Sequence, residues 1–176
     1  HVPTYLENSF SVSVETLEKY VTDKTKVLLL SYPNNPTGAI MTHDELSKIA
    51  QFAVKHDLII ISDEIYAQLT YEGQHTCFSS LPGMKDRTIL LNGVSKAYAM
   101  TGWRIGYALA NPVFIAAMTK IHQYGIMSAP TTAQFAAIEA LKSCDDDVAE
   151  MRREYNYRRR YIVDGFRAMG LSCFEP

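Results

Sequence analysis

The chain has 176 residues, of which 47% are hydrophobic and 20% charged, and its formal net charge is −2. This composition is typical of a globular protein with one good core, so we expect a single compact unit. Acidic and basic residues are interspersed along the chain, which excludes the basic stripe of a nucleic-acid or anionic-membrane surface. We therefore expect a small-molecule partner.

The lengths of the apolar runs and the number of cysteines indicate whether the chain spans a membrane and which cellular compartment suits it. The longest apolar runs, 27–30 and 58–61, are far shorter than the ~18 residues of a membrane span. Three scattered cysteines favour a reducing compartment, the cytoplasm, over a disulfide framework: Cys77, Cys144 and Cys173. The chain begins without methionine or a signal-peptide pattern, and we expect it to be a fragment of a longer protein.

The first regular elements read as strand, helix, strand. Residues 26–31 are apolar and β-compatible, and the turn-rich segment 32–38 (YPNNPTG) closes them. Residues 42–45 read as a capping box that opens a helix over 43–56. Residues 58–62 are apolar throughout, as expected of a central parallel strand covered on both faces. Together they predict one right-handed β-α-β unit.

Two further strands are predicted at 88–92 and 104–110. The connection between them, residues 93–103, is marginal for a crossover that must hold a helix, so the last strand is predicted to run antiparallel.

The rest of the chain is predicted to be helical. Helices are expected over about 112–124 and 131–142, and a third, longer than twenty residues, from Asp145 to Gly170. Its arginine cluster, 158–160, reads most simply as a solvated face, and residues 171–174 look like the start of another strand. The predicted fold is α/β, a mostly parallel sheet with flanking helices, an antiparallel last strand and a long interdomain helix at the end.

Lys96 lies in a small-residue loop after an apolar strand. That position is at the carboxyl edge of the sheet, where open α/β folds bind their ligands. Burial and a nearby cation would leave its amine neutral and able to attack a carbonyl. A lysine taken alone is more simply a solvated surface residue, so its companions decide its role.

Four other side chains are predicted at strand ends. Asp63 ends an apolar strand, where an ionised carboxylate implies a positive partner such as a protonated heterocycle, and Tyr66 follows it. Asn35 offers an amide after the neighbouring strand, and Arg104 suits a phosphate or carboxylate. Each has a plainer interpretation: a turn cap for Asp63, packing for Tyr66, an ordinary turn for Asn35 and a surface position for Arg104.

An amine, a carboxylate, an amide, a phenol and a guanidinium together match the needs of pyridoxal phosphate, which requires a lysine and an anion at its ring nitrogen. The sequence contains no P-loop, no G-x-G-x-x-G after a strand and no zinc-ligand pattern, so no metal is predicted. The histidines are dispersed and were assigned no role: His1, His43, His56, His75 and His122.

At these residues the chain resembles the fold-type I, pyridoxal-phosphate-dependent aminotransferases of the aspartate aminotransferase class. The motifs that carry the resemblance follow in order, at 32–38, 62–66, 95–96 and 100–106. A later segment, 120–141, is most similar to the branch of aromatic, aspartate and acetyl-diaminopimelate aminotransferases.

The resemblance implies a role for each site residue. Lys96 would form the internal aldimine and move the proton between the α-carbon and the cofactor. Asp63 would pair with the pyridinium nitrogen, Asn35 and Tyr66 would bond the phenolic oxygen, and Arg104 would bind the phosphate. The bond before Pro36 is expected to be cis.

One position departs from the family pattern. Several relatives carry a phosphate-binding serine where this chain has Gly93, and the resemblance leaves Ser95 as the substitute in this turn.

The resemblance also implies a domain division and an assembly. Residues 1–144 would be a partial cofactor-binding large domain, 145–170 the interdomain helix and 171–176 the start of a truncated small domain. The full-length protein would be a homodimer in amino acid metabolism, moving an amino group from an L-amino acid to a 2-oxo acid by a ping-pong mechanism. This chain alone would be inactive. Two alternatives stay open, a carbon–sulfur lyase using the same cofactor and a non-catalytic sensor domain of a regulator.

Overall fold

The computed structural model describes residues 1–176, which form five α-helices and one four-stranded sheet. The helices are α1 Val14–Tyr20, α2 His43–Lys55, α3 Pro112–Gly125, α4 Thr131–Ser143 and α5 Asp145–Ala168. The strands are β1 Val27–Ser31, β2 Ile59–Asp63, β3 Thr88–Gly93 and β4 Gly106–Leu109. None of the helices is both long and apolar enough to span a membrane.

The sheet has the order β1-β2-β3-β4. The pairs β1/β2 and β2/β3 are parallel and β3/β4 is antiparallel, so the predicted fold class and the direction of the last strand are confirmed. Ser31 and Leu91 lie opposite Asp63 on its two sides. Because parallel strands end at the same edge, the loops after β1, β2 and β3 all leave from one side of the sheet.

The capping box predicted for α2 is present. The Thr42 hydroxyl accepts from the Glu45 amide at 3.3 Å, and the Glu45 carboxylate accepts from the Thr42 amide at 2.7 Å. These bonds satisfy amides that the first helical turn leaves unpaired. The helix turns its apolar stripe inward, burying Leu46, Ile49, Ala50, Phe52 and Ala53.

The main hydrophobic core is a cluster of 14 buried residues between Val12 and Met84. It fills the space between α1, α2 and one face of the sheet, with Ile60 and Phe78 almost fully enclosed. A second cluster holds only Val94, Ala137 and Ala140.

Three details differ from the sequence prediction. The short helix α1 was not predicted, because seven residues give too little periodicity to recognise. Residues 171–176 form no strand, since no neighbouring strand supplies partners for their backbone groups. Helix α5 is 24 residues long, as expected. Of the apolar side chains expected on one side of it, only Val148 is buried, and the other buried residue is Val163. The expected set is Val148, Met151, Tyr155, Ile162, Phe166 and Met169.

Candidate active site

The three loops at the carboxyl edge of the sheet carry the predicted site residues. Asn35 follows β1, Asp63 is the last residue of β2 with Tyr66 beyond it, and Lys96 follows β3. Parallel strands bring these loops together although Asn35 and Lys96 are 61 residues apart in sequence.

Three of these side chains meet directly. The Asn35 amide donates to the Tyr66 hydroxyl at 3.2 Å. The Lys96 amine lies over the Tyr66 ring, 5.5 Å from its centroid, within the range of a cation–π contact. Tyr66 therefore links the loop after β1 to the lysine loop, which simple packing of an aromatic ring would not require. The two X-Pro bonds before Pro33 and Pro36 are cis.

Asp63 is partly buried, and its two carboxylate oxygens have different surroundings. Its Oδ1 accepts from the Ile65 amide at 3.2 Å, which is the turn cap considered above. Its Oδ2 accepts no hydrogen bond within the chain. The cap fixes the carboxylate at the strand end and leaves one oxygen for a positive partner.

Ser95 and Arg104 lie in the lysine loop but form no hydrogen bond or ion pair with the other predicted site residues. Arg104 is exposed, has a left-handed backbone with φ 53°, and donates through Nη1 to the Thr101 carbonyl at 2.9 Å. This bond orients the guanidinium and leaves its other N–H groups for an anion. Ser95 is partly buried, and its hydroxyl has no partner in the chain.

The backbone explains why glycine stands at position 93. A Cβ on Gly93 would lie 2.9 Å from the Gly106 Cα and 3.2 Å from the Ile105 carbonyl oxygen. These two glycines face each other in the β3/β4 pair. The close approach of the strands therefore leaves no room for a serine side chain here without a shift of the backbone.

The side chain next to Asp63, Glu64, was not predicted as a functional residue. Glu64 is only 3% exposed and accepts three hydrogen bonds, from Ser62 Oγ at 2.9 Å, His75 Nε2 at 2.6 Å and the Phe78 amide at 2.9 Å. Burial raises the pKa of the Glu64 carboxyl, but the bonds from His75, Phe78 and Ser62 outweigh it and hold the pKa below its ordinary value of 4.5. His75, one of the histidines with no predicted role, is thus a hydrogen-bond partner of a buried carboxylate.

The arginine cluster of α5, residues 158–160, was predicted to be a solvated face, and this is wrong for Arg159. Arg159 has a side chain 7% exposed, pairs with Glu72 at 2.7 Å and Glu175 at 3.5 Å, and lies over the Tyr71 ring. The Arg159 side chain is therefore enclosed by its partners rather than solvated. Arg159 lines a cleft of about 800 Å³ that also includes Asn35 and Tyr66.

Comparisons with known proteins identify the family and the fold. The family model for aminotransferase class I and II matches residues 1–176. The chain is 46% identical to aromatic-amino-acid aminotransferase 2 of Thermococcus litoralis and 45% identical to the aspartate aminotransferase of Pyrococcus abyssi, over 99% of this chain and 46% of each relative. The crystal structure of an aromatic aminotransferase from Pyrococcus horikoshii matches with a TM-score of 0.96 and 46% identity, over 99% of this chain and 48% of that one.

The chain thus spans about half the length of the relatives it matches. The residues matched by the family model include all four motif segments at the sheet edge. The chain belongs to the aminotransferase class I and II family.

Proposed function

We propose that the protein of which this chain is a part is a pyridoxal-phosphate-dependent aminotransferase that moves an amino group from an L-amino acid to a 2-oxo acid. The observation that carries the proposal is the position of the Lys96 amine, 5.5 Å from the centroid of a Tyr66 ring whose hydroxyl is bonded to Asn35. Family membership and the names of the relatives support it.

The residues present fit the cofactor by the chemistry of their donor groups. An amine, a carboxylate with an unused oxygen, a paired amide and phenol, and a guanidinium with unused N–H groups occur at one sheet edge. When bound, pyridoxal phosphate supplies an aldehyde that condenses with amines and a ring that accepts the electron pair released at the α-carbon.

Lys96 is the proton-transfer group in this proposal. Lys96 is a partly buried residue, and its amine lies over the Tyr66 ring. In its neutral form the Nζ atom can take a proton from the α-carbon and return it to the cofactor.

The remaining residues bind and orient. Asp63 would hold a proton on the ring nitrogen through its unused oxygen, because an anion there favours the charged ring. Asn35 and Tyr66 would hold the phenolic oxygen, and Arg104 with Ser95 would hold the phosphate.

The wider assignments belong to the same proposal. We propose that residues 1–144 are part of the cofactor-binding domain, that 145–170 bridge to a second domain starting at 171–176, and that the full-length protein is a homodimer. A reducing compartment, the cytoplasm, is consistent with three cysteines that are all free thiols.

The test uses the full-length protein with pyridoxal phosphate. We expect visible absorbance from the lysine-bound cofactor and amino transfer from aspartate or an aromatic amino acid to a 2-oxo acid. Lys96→Ala should lower the rate more than about a hundredfold, since general acid–base groups contribute at least that much. Lys142→Ala, at an exposed position in the last turn of α4, is the matched control.

Two results would contradict the proposal. One is a full-length protein that does not bind the cofactor. The other is release of pyruvate and ammonia from cysteine conjugates with no requirement for an oxo-acid acceptor, which would point to the lyase instead.

A further inference from the structure

Glu64 directly follows β2, which ends at Asp63, and it continues the alternation of side chains along that strand. Side chains alternate along a strand, so Ser62 and Glu64 share the face of Ile60 while Asp63 is on the other. Ile60, Ser62 and Glu64 are all buried, at 0%, 5% and 3% exposure. Glu64 thus directly follows Asp63, the carboxylate proposed to face the cofactor, and its own carboxylate is anchored in the core.

Glu64 is held from two parts of the chain. Ser62 precedes it in β2, whereas His75 and the Phe78 amide come from the segment that follows the site. The backbone of Glu64 is also fixed, because its amide donates to the Leu91 carbonyl and its carbonyl accepts from Ala67, both at 2.9 Å. Rotation of the chain between Asp63 and Ala67 is therefore restricted from both sides.

A small cavity adjoins this pair. It has a volume of about 20 Å³ and is lined by Ser62, Glu64, Thr70 and His75 among others. The Thr70 hydroxyl is buried and has no hydrogen-bond partner. A cavity of this size has room for one water molecule, and Ser62, Glu64, Thr70 and His75 supply polar groups in its lining.

We propose that Glu64 and His75 are positioning residues whose hydrogen bond sets the direction in which Asp63 and Tyr66 face the cofactor. The inference rests on the proposed function. Asp63 precedes Glu64 and Tyr66 lies two residues beyond it, so a tilt of the Glu64 peptide moves both. Groups that orient contact residues in this way commonly change ligand affinity when they are removed.

The experiment measures cofactor binding by the full-length protein and the pH titration of the cofactor's absorbance. We expect Glu64→Gln and His75→Ala to weaken pyridoxal phosphate binding about tenfold, by analogy with outer-shell ligands at metal sites, and to shift the midpoint of the titration. His75→Gln keeps a side-chain N–H donor and should recover most of the affinity.

The matched control is Glu18→Gln. Glu18 also accepts from a histidine, His56 at 3.2 Å, and from Lys55 at 2.6 Å, but at the surface and away from the sheet edge. We expect it to leave both the affinity and the titration unchanged. If Glu64→Gln does not fold, the comparison of His75→Ala with His75→Gln shows whether the hydrogen bond to Glu64 affects cofactor binding.

The inference would be overturned if folded His75→Ala protein bound the cofactor with wild-type affinity and showed an unchanged titration midpoint. This holds even if its thermal stability fell, because Glu64 and His75 would then stabilise only the core. A wild-type protein that binds no cofactor would overturn the proposed function and this inference together. Cofactor binding by the unmutated protein therefore distinguishes failure of the proposed function from failure of this inference.

Discussion

Residues 1–91 and residues 92–176 are packed in different ways. The first region contains the 14-residue core cluster and all four buried polar residues, Ser62, Glu64, Thr70 and Thr88. The second region has a cluster of three residues, and its helix α3 has no buried residue at all. Ile121 and Tyr124 of that helix are 75% and 89% exposed.

The candidate site lies across this division. Asn35, Asp63 and Tyr66 come from the first region, where a filled core fixes the strands that carry them. Lys96 and Arg104 come from the second, where their loop rests on the small cluster around Val94. Substitutions should therefore affect stability much more in the first region than in the second, except where the two touch.

The largest expected effect compares two phenylalanines. Phe78 is 1% exposed and Phe135 is 69% exposed. Phe78→Ala should lower the free energy of unfolding of the 176-residue chain by about 3–5 kcal/mol, because it leaves a cavity in the core. Phe135→Ala should change it by about 0.5 kcal/mol or less. Urea unfolding measures both, and equal costs would remove the contrast between the regions.

A smaller effect is expected at the boundary, where β3 meets β4. Gly93→Ala places a Cβ 2.9 Å from the Gly106 Cα, and such overpacking typically costs about 1–3 kcal/mol. Gly102→Ala is the control, since a Cβ there meets nothing within 4 Å and should cost about 0.5 kcal/mol or less. Indistinguishable urea midpoints for the two variants would contradict the close approach of the strands.

Sequence patterns predicted features of both regions. The strands, α2 with its capping box and the antiparallel return of β4 follow from local patterns: apolar runs, a Thr–Glu pair and a loop too short for a crossover. Asn35, Tyr66 and Lys96 could be grouped because parallel strands end at one edge. Their catalytic roles, and those of Ser95, Asp63 and Arg104, stay predictions.

Contacts made by the path of a loop were not predictable in this way. Glu64 and His75 are eleven residues apart across an irregular segment, and no periodicity relates them. Arg159 depends likewise on Glu72, which is 87 residues away. One signal was present, however: Glu64 continues the alternation of Ile60 and Ser62, which places a carboxylate on the core face and calls for a buried partner.

The smallest effect concerns pH and the one buried carboxylate, which lies in the first region. The pKa of Glu64 is held below its ordinary value of 4.5, so the folded state binds its proton more weakly than the unfolded chain does. This contribution to stability is complete above that value and is lost as the pH falls through the lower, folded pKa. A single group can steepen the decline by at most about 1.4 kcal/mol per pH unit.

Glu64→Gln removes the titration but also the charge-assisted bond to His75. Its unfolding free energy should therefore lie below that of the wild type near neutral pH and vary less with pH below 4.5. Glu139→Gln, on an exposed part of α4, removes one carboxylate from the second region and should follow the wild-type curve. Urea unfolding over a series of acidic buffers gives the three curves. If Glu64→Gln and wild type ran parallel, the acid sensitivity would come from other groups, and the buried polar network of the first region would not set it.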